Sequence, residues 1–333
     1  GKRPNGYISF MYDMTPYLKE KNNVLAVRVD HSRIADSRWY TGSGIYRDVW
    51  MVRAGDVHFA QWGLGWKATS ISNSSAQIDL NVEVEKHNAQ SSNLVVKSTL
   101  YDADGKVVSQ SNATITNKSA GTDKLNMRLK VRNPKRWQLN DPYLYKLECQ
   151  IIQNGKCLDK TTTRVGLRTL SFDANKGFSL NGQSMKVKGV CLHHDAGVLG
   201  SVVPKDVWRR RIINLKEMGA NAIRSLIGPH LPSLYDACDK EGMMVWVDNP
   251  FTRNVVLFND ICYYPSEALR ENGFEQLREV IYQNYNHPSV VMWGIFSLVA
   301  QRGDDVVSYV RELNDLAHEI DTSRPTVACS NVD

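Results

Sequence analysis

The sequence predicts a multidomain protein of the β plus α/β type, in which an antiparallel β-sandwich precedes a parallel sheet. Two patterns support this prediction. Residues 57–170 contain short alternating strands separated by turn signals, and from residue 171 onward strands alternate with helices. The chain has 333 residues, of which 42% are hydrophobic and 23% charged, values typical of a globular protein with two or three domains.

Charge and hydropathy exclude several classes of protein. No run of about 18 apolar residues is present, so the sequence predicts no transmembrane helix. The net charge of +6 comes from Lys and Arg scattered among Asp and Glu, which argues against a nucleic-acid partner. Residues 1–14 lack the apolar core of a signal peptide, so we expect a protein that is not secreted or a start that lies upstream.

Residues 55–170 are predicted to form an immunoglobulin-like β-sandwich. The strand pattern is clearest over 78–85, where apolar and polar residues alternate strictly, as in a half-buried strand. Asp104-Gly105 and Asn154-Gly155 are strong two-residue hairpin turns. About seven such strands in just over 100 residues are typical of a sandwich.

The six cysteines include no CxxC pair, and we interpret them as buried free thiols rather than metal ligands or disulfides. Cys149 and Cys157 lie in one predicted hairpin. Its Asn154-Gly155 turn places Ile152, not Cys149, opposite Cys157, which disfavours a local disulfide.

Residues 171–333 are predicted to alternate strands and helices, which implies a parallel sheet, either doubly wound or closed as a barrel. The predicted strands are 187–190, 222–226, 243–248, 290–296 and 326–329, and the predicted helices follow Pro204 and cover 231–241, 266–284 and 306–320. No glycine-rich phosphate loop follows the first strand, which disfavours dinucleotide binding. An eight-unit barrel needs about 250 residues, so five strands indicate a partial barrel and a fragment truncated at both ends.

Four stretches carry a resemblance to a known family. Residues 38–49 (RWYTGSGIYRDV) resemble the end of the sugar-binding jelly roll of glycoside hydrolase family 2, and 164–189 resemble its passage from sandwich to barrel. Residues 191–224 and 286–293 match the opening of its barrel and the approach to the fourth strand. The resemblance covers the whole chain. It implies the end of a β jelly roll over 1–54, an immunoglobulin-like sandwich over 55–170 and part of a (β/α)₈ TIM barrel over 171–333.

The resemblance implies a β-galactosidase-like enzyme that hydrolyses terminal β-linked sugars with retention. Such chemistry needs one carboxyl group as acid/base and another about 5 Å away as nucleophile. The family's acid/base position, after the fourth strand, is Leu298 here, which cannot transfer a proton. The nucleophile is expected beyond Asp333. Asp304 and Asp305 are the nearest acids, interpreted either as substitute proton donors or as a cap and first-turn acid of the last helix.

Candidate substrate-binding residues lie at the ends of predicted strands, where a barrel builds its active site. They are His193, His194, Asp195, Arg224, Asp248, Asn249 and Ser297. Arg224 also fits a structural ion pair, and Asp248 a buried hydrogen-bonded carboxylate. Because neighbouring strand residues face opposite sides, the two histidines are poorly placed to share a metal ion. The ends of the second, third and fourth predicted barrel strands lack polar groups that the family has there. This difference favours relaxed or redirected chemistry.

Aromatic side chains are candidates for stacking on sugar rings. Trp39 and Tyr40 lie in a Gly- and Ser-rich segment and are the better surface candidates, ahead of Trp246 and Tyr264. Trp293, inside an apolar strand, is expected in the core.

Two other classes of function stay open at this stage: a catalytically silent carbohydrate-binding protein on a hydrolase scaffold, and a structural or adhesion protein that uses the sandwich alone. The expected partner is a carbohydrate, a β-galactoside or related glycan, and a homo-oligomer is compatible with the sequence. No cofactor is expected, and a divalent or sodium ion is not indicated. The resemblance favours a periplasmic or secreted bacterial location.

Overall fold

The predicted sandwich is confirmed. The computed structural model describes residues 1–30, 42–89, 92–226, 228–250, 267–297 and 304–329. The sandwich strands are β1 (Val57–Ile71), β2 (Ser75–Lys86), β3 (Leu94–Tyr101), β4 (Val107–Ile115), β5 (Gly121–Arg132), β6 (Tyr145–Gln153) and β7 (Lys156–Val165). One antiparallel sheet has the order β1-β2-β5 and the other β4-β3-β6-β7.

The period-2 pattern of β2 explains how the sandwich is held together. The alternating apolar residues Ile78, Leu80, Val82 and Val84 are buried, and they form one core with inward-facing residues of the opposite sheet. Removal of this apolar surface from water is the main stabilising contribution in such a domain.

The hairpin of β6 and β7 has the predicted register. Ile152 pairs with Cys157, and Cys149 pairs with Thr161, so the two thiols are not opposite one another. Cys149 is buried and free as expected, whereas Cys157 and Cys191 are free but exposed. The expectation of burial is therefore wrong for these two.

The partial barrel follows a small antiparallel sheet of β8 (Leu170–Asp173), β9 (Gly177–Leu180) and β10 (Gln183–Ser184). Its strands are β11 (Gly189–Leu192), β12 (Ala222–Ser225), β13 (Met244–Asp248), β14 (Val290–Ser297) and β15 (Thr326–Cys329), and its helices are α1 (Lys205–Glu217), α2 (Pro232–Glu241), α3 (Glu267–Asn284) and α4 (Asp304–Ile320). The strands pair in parallel in chain order. The predicted strand–helix alternation is confirmed.

Residues 1–52 are strand-like in sequence, with apolar residues at Tyr7, Ile8 and Phe10 and over 24–29. The described part of this segment holds no strand and has one 3₁₀ turn at Thr15–Tyr17. Val24 and Leu25 are 90% and 68% exposed. A strand is stable only with a hydrogen-bonded partner, and none of the described strands pairs with this segment. The segment instead packs on the barrel, where Ile8 joins the hydrophobic core.

The turn at 285–289, which leads into β14, joins the sandwich to the barrel. Asn286 accepts a hydrogen bond from the Trp66 N–H at 3.2 Å and donates one to the Leu64 carbonyl at 2.6 Å. The hydroxyl of Tyr285 donates to the Trp62 carbonyl at 2.8 Å. A side chain at Gly65 would overlap the Tyr285 ring, so this approach requires glycine.

Arg324, only 5% exposed, holds the same turn from the barrel side. Its guanidinium donates to the carbonyls of Tyr285, His287 and Val290 at 2.8, 3.1 and 2.7 Å. It also forms an ion pair of 2.6 Å with Asp321. Burial alone would raise the pKa of Asp321, but the charge of Arg324 and hydrogen bonds from Ser323 hold that pKa well below its usual range.

Replacing Asn286 by Ala is expected to lower the free energy of unfolding by about 1–3 kcal/mol, because a carbonyl and an N–H at the interface lose their partner. Urea denaturation followed by circular dichroism measures this. Asn126→Ala, on the exposed face of β5, is the matched control and should change the free energy by less than about 0.5 kcal/mol. Equal effects of the two substitutions would contradict this role of Asn286.

Candidate functional site

The structure brings most of the predicted site residues to one edge of the parallel sheet. His193, His194 and Asp195 directly follow β11, Arg224 lies within β12, and Asp248 ends β13. Asn249 follows β13 and Ser297 ends β14. Because parallel strands end at a common edge, four successive strands place these residues side by side.

Arg224 and Asp248 form a buried ion pair across β12 and β13. The guanidinium lies 2.9 Å from Asp248 Oδ2, and its Nε donates to Oδ2 at 3.1 Å. The Asp248 side chain is fully buried and that of Arg224 is 14% exposed. The ion-pair interpretation of Arg224 is therefore confirmed. Asp248 lies behind Arg224 and fixes the orientation of its guanidinium.

Trp246 completes this cluster. The guanidinium carbon of Arg224 lies 4.1 Å from the centroid of the Trp246 ring, which is a cation–π contact. Arg224 pairs with Trp246 in the β12–β13 register, so both project from the same face of the sheet. Arg224 is thus held by a carboxylate and by an aromatic face, while a small part of its side chain stays accessible.

Gly294, on β14, makes room for this cluster. It pairs with Asp248, and a Cβ at this position would overlap Asp248 Oδ1 and lie 2.6 Å from Trp246 Nε1. A glycine inside a strand often marks such a close approach. The sequence analysis did not single out Gly294, since its requirement arises from neighbours more than 40 residues away.

Asn249 is fully buried and connects β13 to β14. Its backbone N–H donates to the Gly294 carbonyl at 2.6 Å, and its side-chain amide donates to the Ile295 carbonyl at 3.3 Å. These bonds hold the two strand ends in register. The structure therefore gives Asn249 a role in orienting the site.

The residues after β11 have different environments. His194 is buried against Tyr7 and Tyr46, with ring centroids 4.8 and 6.0 Å away, so the first segment of the chain covers it. His193 and Asp195 are half-buried. The carbonyl of Asp195 accepts a hydrogen bond of 3.1 Å from Arg211 of α1, which ties this loop to the barrel.

His230 is a further residue of this edge that the sequence did not indicate. Its Nε2 lies 3.1 Å from the Leu192 carbonyl, and its ring packs edge-on against Trp208, with centroids 5.1 Å apart. Burial, with the nearby charge of Arg47, lowers the pKa of His230 to about 3, so the ring is neutral. A neutral ring that donates to Leu192 links the loop after β12 to the end of β11.

Several predicted residues lie outside the described residues, namely Leu298, Trp39, Tyr40 and Tyr264. Asp304 is the first residue of α4, so Asp304 and Asp305 belong to its first turn. Trp293 is 1% exposed within the core, as predicted.

Two groups of three side chains in the described ranges have the spacing of metal ligands: His58, Glu85 and His87 in the sandwich, and Asp236, Asp239 and His287 near the barrel. Neither group includes His193, His194 or Asp195.

Among the described residues, no helix combines the length and apolar character that crossing a bilayer requires.

Comparison with known proteins identifies the class to which this fold and strand-end site belong. The family model for glycosyl hydrolases family 2 matches residues 64–168, and the model for the TIM barrel domain of that family matches residues 174–333. The chain belongs to glycosyl hydrolases family 2.

Particular relatives come from Bacteroides species. The chain is 40% identical to the beta-galactosidase BoGH2A of Bacteroides ovatus over 92% of this chain and 36% of that protein. It is 32% identical to a beta-glucuronidase of Bacteroides fragilis over 100% of this chain and 49% of that protein. A family 2 structure from Bacteroides cellulosilyticus superposes with a TM-score of 0.86 at 28% identity, covering 99% of this chain and 44% of that one. The chain spans less than half the length of each.

Replacing Gly294 by Ala is expected to lower the free energy of unfolding by about 1–3 kcal/mol, since the new methyl group overlaps Asp248 and Trp246. Gly55→Ala, where a Cβ meets no atom within 4 Å, is the matched control and should have little effect. Thermal melting of the two variants measures the difference. A Gly294→Ala variant as stable as the control would show that the cluster is loosely packed.

The low pKa of His230 predicts a defined pH dependence of stability. The folded ring binds a proton only near pH 3 and the unfolded ring near pH 6.5, so the free energy of unfolding falls as the pH drops through this interval. The contribution of this group has a limiting slope of about 1.4 kcal/mol per pH unit.

Denaturation at several pH values, compared with His230→Gln, isolates this contribution. Gln keeps an N–H donor for the Leu192 carbonyl but does not titrate. The variant should therefore show a shallower loss of stability between pH 6.5 and pH 4, and parallel curves for the two proteins would contradict the prediction.

Proposed function

We propose that the protein containing this chain is a β-glycosidase that binds terminal β-linked sugars at the carboxyl edge of the parallel sheet. The observation that carries this proposal is the ordered Arg224–Asp248–Trp246 cluster at that edge, in a barrel of family 2. Relatives named beta-galactosidase and beta-glucuronidase support the same class of substrate.

The charge balance of the cluster favours a neutral sugar. A uronic acid carries a carboxylate that requires a cation, but the guanidinium of Arg224 is already paired with Asp248 at 2.9 Å. The pair therefore offers hydrogen-bond donors with little net positive charge. A β-galactoside fits this balance better than a β-glucuronide, in agreement with the 40% identity to a beta-galactosidase.

The roles of the described residues follow from their exposure. In this proposal, His193, Asp195 and the accessible part of Arg224 contact sugar hydroxyl groups. Asp248 and Asn249 are fully buried and act as positioning residues for Arg224 and for the end of β13. The hydrolysis uses carboxyl groups and water, so no cofactor is required.

Retention in this family's reaction requires an acid/base and a nucleophile. Leucine at position 298 provides no proton, so any hydrolysis by this protein depends on another donor or on a leaving group that departs without one. This residue also favours a second candidate function, a carbohydrate-binding protein that keeps the scaffold without turnover.

The periplasmic or secreted location stays a prediction.

An aryl β-galactoside with a highly activated leaving group, assayed on the full-length protein with and without azide, separates the two functions. Turnover accelerated by azide is expected, because the leaving group needs no proton and azide replaces water at the second step. No turnover in either condition, together with retained glycan binding, would instead establish the binding protein.

Leu298→Glu tests the missing acid directly. It is expected to raise the turnover of a β-galactoside with a poor leaving group by about 10²–10⁴-fold, the usual contribution of a general acid. Leu298→Gln, similar in shape but unable to donate a proton in this way, is the matched control. Brisk hydrolysis of such substrates by the unmodified protein would contradict the role assigned to position 298 and direct attention to Asp304 and Asp305.

A further inference from the structure

Three side chains with metal-binding chemistry lie on one face of the sandwich, two of them on the strands β1 and β2 and the third directly after β2. His58 on β1 pairs directly with Glu85 on β2. His87 lies two residues beyond Glu85, so the period of 2 places it on the same side. The neighbouring Val57, Val84 and Lys86 are buried on the opposite side, which leaves the three ligand-type residues facing outward.

The spacing of these side chains fits a single tetrahedral ion. His58 Nε2 lies 3.3 Å from Glu85 Oε2, equal to the separation of about 3.3 Å between two ligand atoms that each lie about 2.0 Å from a tetrahedral zinc. The imidazole centroids of His58 and His87 are 5.3 Å apart, and two imidazoles on one such ion are about 5.2 Å apart. One ligand atom from each of the three residues lies within 4.8 Å of the others.

The two ring nitrogens of His58 both face oxygen acceptors. Nδ1 lies 3.0 Å from the Gly55 carbonyl oxygen, and Nε2 faces the Glu85 carboxylate. Both neighbours are acceptors, while a neutral imidazole has one N–H. A metal ion between Nε2 and the Glu85 carboxylate satisfies both of these groups and leaves the N–H on Nδ1 for the Gly55 carbonyl. An Nδ1–H that donates to a carbonyl is the usual second contact of a metal-bound histidine.

We propose that His58, Glu85 and His87 bind one divalent transition metal ion, of which Zn²⁺ is the best match to two imidazoles and a carboxylate. Water fills the fourth position, because the site is open to solvent on the outer face. The ion links the start of β1 to the chain at the end of β2. In this region the His87 N–H already donates to the Asp56 carbonyl at 2.9 Å. Its role is structural and independent of the sugar site.

The second group with ligand spacing, Asp236, Asp239 and His287, is already satisfied by protein contacts. Asp236 forms an ion pair with Arg164, and Asp239 accepts hydrogen bonds from the Ser289 N–H at 3.0 Å and from His287 at 2.6 Å. A metal ion there would have to break these contacts. Of the two groups in the described ranges, the one in the sandwich is therefore the candidate zinc site.

The test is Zn²⁺ binding by the full chain after treatment with a chelator, measured by isothermal titration calorimetry. One ion per chain is expected, with a rise in the melting temperature on adding Zn²⁺. His58→Gln and His87→Gln should each weaken binding by at least about 10–100-fold, and so should Glu85→Gln. Glu83→Gln is the matched control, because Glu83 lies on the same strand and side, is similarly exposed and pairs with Lys124.

A second measurement does not depend on variants. X-ray absorption of the zinc-loaded chain should give imidazole nitrogen and carboxylate oxygen ligands at about 2.0–2.2 Å. Four results would each overturn the proposal: no saturable Zn²⁺ binding, binding unchanged in all three ligand variants, loss of binding in Glu83→Gln alone, or a melting temperature that does not respond to Zn²⁺.

Discussion

The placement of the central strands depends on one buried guanidinium. Arg324 is nearly inaccessible to water, and a charge in that position is tolerated only when its donors are satisfied. Three backbone carbonyls between Tyr285 and Val290 and the carboxylate of Asp321 meet this requirement. The turn before β14 is therefore shaped around Arg324. Because the outer side of the same turn bonds to β1, Arg324 helps to couple the barrel to the sandwich, together with Arg168, which donates to the Pro288 and Val290 carbonyls.

The same constraint reaches the candidate site through β14. Once the turn fixes where this strand begins, Gly294 is brought opposite Asp248, and its missing side chain leaves room for the carboxylate and for Trp246. The position of Asp248 then sets the orientation of Arg224. A series of contacts that starts at the interface with the sandwich therefore positions the residues of the candidate site. In this way the sandwich helps to set the geometry of the site.

Sequence periodicity predicted the elements because each depends on neighbouring residues. The alternation in β2, the Asn154-Gly155 turn and the alternating strands and helices after residue 171 are local patterns, and the structure has the corresponding elements. The pattern in residues 1–52 failed because a strand also needs a partner, and a local pattern carries no information about one. Within the site, strand ends were predictable, but the contacts of Gly294, His230 and Tyr7 were not, since they join residues distant in sequence. Burial of Asp248 and Asn249 likewise depends on neighbours from other strands.

The most direct test of the central claim is a crystal structure of the full-length protein with an unreactive β-galactoside analogue. We predict that the sugar lies at the carboxyl ends of β11, β12 and β13, with hydroxyl groups within hydrogen-bond distance of Arg224 and His193 and with Asp248 still paired to Arg224. A sugar bound only on the sandwich, or at the opposite end of the parallel sheet, would contradict the assignment of this edge as the sugar site.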